Sequence, residues 1–156
     1  MRPEELPVDY VLKRRDIVAE ARKWIDVPYR HQGRGKRGLD CVGLLVEVAA
    51  GLGHPVNAPT AYSSSPQGHQ LLDPCNDQLW KPERQDRLIP GDLAVFWGWH
   101  PSEPQHFAFI GENSGRLTII HSFSKFAKVV EQQWNRHWET KFHCLYVLPG
   151  TEETYS

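Results

Sequence analysis

The sequence predicts an α+β fold, with helices first and an antiparallel sheet of about five strands after them, in a single domain over 1–156 whose core runs from about 13 to 148. Three observations predict it. Apolar residues recur at helical spacing in the first half, at Ile17, Ala21, Trp24 and Ile25 and again at Leu44, Leu45 and Val48. Beyond Pro90-Gly91-Asp92 the pattern changes to short apolar runs separated by turn residues. Finally, 156 residues at 40% hydrophobic and 24% charged composition suit one ordinary core. A chain of that size buries roughly 68–70% of its unfolded surface without disulfide or metal staples.

The first helix is predicted over 13–26, its apolar stripe flanked by Arg14, Arg15, Glu20 and Arg22, and Pro28 ends it. Residues 27–38 read as a glycine-rich basic loop. Asp40 is a good N-cap for a second helix over about 41–50, which Gly51 and Gly53 stop. Residues 54–68 are rich in proline and serine and read as a surface loop, followed by a short helix over 70–79 around Leu71, Leu72 and Leu79. Strands are expected over 93–97, 106–111, 116–122, 128–130 and 143–148, with a helical crossover over 131–139 before the last. The sequence holds no repeat, no low-complexity tract and no linker long enough to divide it.

Composition narrows the function classes. Eighteen Lys and Arg against nineteen Asp and Glu give a net charge of −1, so no global field favours nucleic acid or an acidic membrane. No stretch approaches the 18 or so apolar residues of a spanning helix, and membrane insertion is not expected. Residues 1–7 lack the apolar run of a secretory signal, so the chain is expected to be cytoplasmic as synthesised. Cys41, Cys75 and Cys144 are far apart with no C-x-x-C spacing, which points away from a disulfide framework or a thiolate zinc site.

Cys41 follows its N-cap directly, in a first helical turn where free N–H groups and the helix dipole favour an anion. That placement predicts a lowered thiol pKa and a nucleophile, although a small buried hydrophobe is the other fate of a free cysteine. His106 begins one predicted strand and His121 nearly ends the next. If Glu112-Asn113-Ser114-Gly115 closes the hairpin, Gly111 lies opposite Arg116 and His106 opposite His121. The shared face also carries Ala108, Ile110, Leu117 and Ile119, and the Cys41 helix is its expected cover. A thiolate, an imidazole that takes and returns a proton, and a second polar group that orients it are what acyl transfer needs. A Cys-His-His metal site has suitable ligands but lacks an evident fourth, and no cofactor is called for. Cys144 reads as buried packing, and Cys75, after Pro74, as an exposed thiol without a base.

Pro28-Tyr29-Arg30-His31-Gln32-Gly33, then Leu39-Asp40-Cys41-Val42-Gly43-Leu44-Leu45, Pro90-Gly91-Asp92-Leu93, His106-Phe107-Ala108-Phe109-Ile110-Gly111 and Ile120-His121-Ser122 resemble, in order and spacing, the NlpC family of papain-like cell-wall peptidases. The likeness spans about 17–148 and is nearest the subgroup of phage, prophage and gene-transfer-agent tail modules, where valine commonly follows the cysteine. The resemblance implies a papain-like fold and cleavage of peptidoglycan stem peptides or muropeptides, typically between γ-D-glutamate and diaminopimelate or lysine. It implies Cys41 as nucleophile, His106 as base, His121 as the orienting third member, and Tyr29 with its hydroxyl near the thiol. This chain departs from the family at two places: Val42 stands where most secreted members have serine, and Gln32 where many have glycine.

Arg30, Arg34, Lys36 and Arg37 lie in the loop beside this site and are candidates to receive the carboxylates of a stem peptide; a solvated loop is the other reading. Trp99, between two strands and close to His106, is the candidate for a further substrate contact. Phage tail proteins are the partners the subgroup implies, with action in the periplasm or on the cell wall after delivery by a virion. Two other functions stay open at this stage: a tail-assembly module that keeps the fold without activity, and an amide hydrolase of the same mechanism on a substrate outside the wall.

Overall fold

The computed structural model describes residues 6–7, 10–58, 62, 68–98 and 103–156. Helices α1 (Arg14–Arg22), α2 (Cys41–Gly51) and α3 (Gly68–Gln78) precede strands β1 (Leu93–Trp97), β2 (Pro104–Asn113), β3 (Arg116–Phe123) and β4 (Lys128–Gln133). Helix α4 (Arg136–Lys141) leads into β5 (Phe142–Tyr146). The five strands form one antiparallel sheet in the order β4-β3-β2-β1-β5, so the architecture is α+β as the sequence predicts.

Alternation along the strands gives the sheet two apolar faces, and each has its own cover. Leu93, Val95, Phe107, Phe109, Ile120, Val129 and Cys144 face α1, α2 and α3, packing with Ile17, Leu44, Leu45, Val48 and Leu71. Ala94, Phe96, Ala108, Ile110 and Ile119 face the other way, under Trp138 of α4 with Trp134 and Phe142 beside it. The face of His106 and His121 is therefore covered by α4. The expected cover, the Cys41 helix, lies on the opposite face. The crossover expected over 131–139 is strand as far as Gln133, because Glu131 is held by Arg22 and Thr118 on one face and Gln132 by His121 on the other. Asn135 then caps α4 through Trp138 N–H at 3.2 Å.

Other boundaries shift for identifiable reasons. Helix α1 stops at Arg22, and Trp24 and Ile25 fall in a turn closed by Asp26 at φ 75°, yet Trp24 remains buried. The hairpin of β2 and β3 turns on Ser114 and Gly115 alone, both at positive φ (54° and 79°), which suits the twist of the strands. Asn113 pairs with Arg116 and Phe109 with Ile120, so the register moves two residues from the four-residue turn the sequence suggested. Cys75 is buried, since it lies four residues after Leu71 on the core side of α3 and four before the buried Leu79 that follows the helix; the expectation of an exposed thiol fails there.

A buried ion cluster ties the first helix to the sheet. Asp92 is fully buried and accepts from Arg14 Nη1 at 2.8 Å, from both terminal nitrogens of Arg84 at 3.0 Å and from Ile89 N–H at 2.8 Å. Lys13 offers α1 no side-chain cap, and the Arg14 amide instead donates to Glu152 Oε2 at 2.7 Å, 138 residues away. Leu12 and Thr151 form a parallel bridge at the same place.

Candidate active site

The loop before α2 and the start of that helix are built around one carboxylate. Asp40 Oδ1 accepts from Gly43 N–H at 2.9 Å as N-cap, while Oδ2 accepts from Gln32 N–H at 2.8 Å and from the Tyr62 hydroxyl. Arg34 Nη1 lies 3.4 Å from Oδ1. Gly43 lets the loop close on the helix: a Cβ there would stand 2.3 Å from the Gly33 carbonyl oxygen. On the β3 side, Ser122 Oγ donates to the Leu39 carbonyl at 2.7 Å and holds the residue two before the cysteine.

Cys41 thus opens α2 in a fixed position and keeps some accessible surface. Backbone amides of Phe107, Val42 and Cys41 itself lie against the sulfur and favour a thiolate. Burial and the neighbouring Asp40 outweigh them and push the thiol up to about 12, opposite to the lowering that helix position alone predicts. Phe107 immediately follows His106, so the thiol approaches β2 one residue from that imidazole.

His106 and His121 project to the same face from β2 and β3. The β2–β3 pairing runs from Asn113–Arg116 to Phe109–Ile120; continued past that pair, the same register sets His106 diagonal to His121, and a two-residue change of register leaves side chains on their face. His106 Nε2 is 2.7 Å from His121 Nδ1, and His121 Nε2 is 2.6 Å from Gln132 Oε1. Phe96, Phe123 and Trp138 surround the His106 ring with centroids at 6.0, 5.3 and 6.0 Å. Burial, then His121, holds the His106 pKa well below its ordinary value. Burial lowers His121 to about 4 against the bond to Gln132. Both imidazoles are neutral at neutral pH, and the thiol keeps its proton at rest.

Tyr29 pairs with Leu39 in a parallel bridge, and its phenol is raised to about 12 by burial, by Cys41 and by Asp40, which sets it beside the thiol. Arg30 is exposed on the adjoining loop. Trp99 lies outside the described residues. Val42 is 6% exposed and packs in the core, so the side chain after the cysteine points inward. Sequence reasoning missed Tyr62, Gln132 and Trp138 as neighbours of the site. Gln132 becomes findable only with the register of β3 and β4, which pairs it with Ile119, two residues from His121. Among the described residues no group of three or more His, Cys, Asp or Glu is placed to hold a metal, and no helix is long and apolar enough to cross a membrane.

Solved structures resemble the chain over most of its length. An NlpC/P60 family protein from Bacillus cereus is 17% identical with a TM-score of 0.63, over 89% of this chain but 41% of its own. The NlpC/P60 domain of the peptidoglycan hydrolase SagA is 23% identical with a TM-score of 0.58, over 87% of this chain and 98% of that domain. An N-acetylmuramoyl-L-alanine amidase from Bacteroides uniformis is 13% identical with a TM-score of 0.61, over 87% of this chain and 98% of that one. The chain spans less than half the length of the Bacillus cereus protein. No protein-family model and no curated protein matches the sequence. The fold is the α+β, papain-like fold of NlpC/P60 proteins.

Proposed function

We propose that this chain is a cysteine-type hydrolase of the NlpC/P60 family that cleaves an amide bond in peptidoglycan stem peptides. The carrying observation is the His106–His121 contact at 2.7 Å, one residue along β2 from the amide that meets the Cys41 thiol. In this reading the Cys41 proton passes to His106 and the sulfur attacks the amide carbonyl. The oxyanion is met by the N–H groups that open α2. Collapse breaks the C–N bond, the amine leaves with the proton from His106, and a thioester remains on Cys41. Water, deprotonated by His106, then hydrolyses the thioester to the carboxylic acid and the free thiol.

In this reading Tyr29 lines the thiol side of the site, and Arg30, exposed on the adjoining loop, is assigned to receive a stem-peptide carboxylate. The bond proposed is γ-D-glutamyl to diaminopimelate or lysine. The amidase among the similar structures gives the bond from muramic acid to L-alanine as a second reading. Delivery to the wall by a phage tail, with tail proteins as partners, is the route suggested by the valine after the cysteine.

Mass spectrometry of defined muropeptides incubated with the wild-type protein and with Cys41→Ser tests the proposal. Cleavage lost in the variant is expected, and the fragment masses identify the bond. Equal cleavage by both proteins, or by neither, overturns the reading.

A further inference from the structure

We infer that Gln132 is a positioning residue that decides, through two imidazole rings, which nitrogen of His106 is left bare to take the Cys41 proton. The inference rests on the reading of Cys41 and His106 as nucleophile and base. Strand β4 brings Gln132 to the face of His121 because it pairs with Ile119 while Val130 pairs with His121. Its Oε1, 2.6 Å from His121 Nε2, can only accept, so that nitrogen carries the hydrogen. A neutral imidazole has one N–H, which leaves His121 Nδ1 bare. Two bare nitrogens do not face each other at 2.7 Å, so His106 Nε2 carries its ring's hydrogen and donates to His121. His106 Nδ1 is then the bare nitrogen.

The direction of this relay is set at one end. If the Gln132 amide presented its NH2 to His121 instead, every step would reverse and His106 would hold its hydrogen on Nδ1. That ring could not act as base at Nδ1. Around His106 the rings of Phe96, Phe123 and Trp138 offer no strong acceptor or donor to compete with that relay. The carboxamide of Gln132 thus anchors one end of the relay and acts on His106 through the His121 ring.

The protons can be read directly by nitrogen NMR of protein labelled with 15N-histidine at neutral pH, the two sites assigned by the signals lost in His106→Gln and His121→Gln. Both rings are expected in the Nε2–H form. In Gln132→Met, which removes the acceptor, the signals of both rings should move toward tautomer mixtures, and Gln132→Glu, again an acceptor, should restore the Nε2–H form. Unchanged signals from the remaining histidines check folding. A wild-type His106 with its hydrogen on Nδ1, or a Gln132→Met spectrum identical to wild type at both rings, overturns the inference. The readout needs no substrate: expected tautomers without muropeptide cleavage would remove the proposed function alone, and cleavage with the opposite tautomers would remove this inference alone.

Discussion

His106 and His121 meet at 2.7 Å beyond the last paired residues of the β2–β3 hairpin, Phe109 and Ile120, and Gln132 Oε1 lies 2.6 Å from the far nitrogen of His121. Both rings are held neutral by burial, and that state has a measurable consequence for the whole fold.

Acid should unfold this protein through these histidines. The folded pKa of His121 is about 4, below the ordinary 6.5, so between those values the unfolded chain binds more protons than the folded one. Stability is full above pH 6.5 and falls as pH drops toward 4, by about 3 kcal/mol for His121 alone. His106 shifts in the same direction and adds to the loss. Urea midpoints at several pH values should fall steadily through that window, and His121→Gln should flatten the slope. A midpoint independent of pH in the wild type would contradict the buried neutral pair.

The thiol makes a second pH-dependent measurement. With its pKa raised to about 12 by burial and Asp40, Cys41 should react slowly with iodoacetamide at neutral pH. Its rate should climb close to tenfold per pH unit up to pH 9 and beyond. Peptide mapping separates it from Cys75 and Cys144, both buried. A plateau near neutral pH would mean a resting thiolate–imidazolium pair instead.

Asp92→Asn should be among the most damaging single changes away from the site. It keeps the shape but leaves Arg14, nearly fully buried, beside a neutral amide, and weakens the grip on Arg84. A loss of about 3–5 kcal/mol is expected from urea unfolding. A loss below 1 kcal/mol would show that water or another carboxylate compensates.

Gly43→Ala separates local propensity from packing. Alanine favours a helix over glycine by about 1 kcal/mol. Its Cβ would nevertheless stand 2.3 Å from the Gly33 oxygen and 2.9 Å from the Leu39 Cβ, so the loop must move. We expect a net destabilisation of roughly 1–3 kcal/mol and a fall in Cys41-dependent cleavage. A stabilised variant would show that the loop yields easily.

The parts of the fold legible in the sequence were those set by local rules. Asp40 before an apolar helix reads as a cap and proves to be one, and the strand runs follow from alternation between turn residues. Placing both histidines on one face also survived, because an error of two residues in register does not turn a side chain over. What failed was set by tertiary packing. Periodicity marks a face as apolar but carries no record of which helix covers it, so the role of Trp138 over Ala108 and Ile110 was invisible. Likewise helix position favours a thiolate at Cys41, whereas the burial that opposes it depends on the assembled core.

The N-cap of α1 comes from Glu152, near the far end of the chain. On a ribosome this has a temporal meaning. As α1 emerges it exposes Ile17, Val18 and Ala21 with no side-chain cap of its own, and its Arg14 waits for Asp92 and then for Glu152. Closing a loop of that length carries an entropic cost that only completed packing repays. The first helix is therefore locked only once Glu152 has been made, and the segment around it acts as a latch on an otherwise assembled domain. A chain truncated after Leu148 should keep its sheet yet lose hydrogen-exchange protection first in residues 14–22.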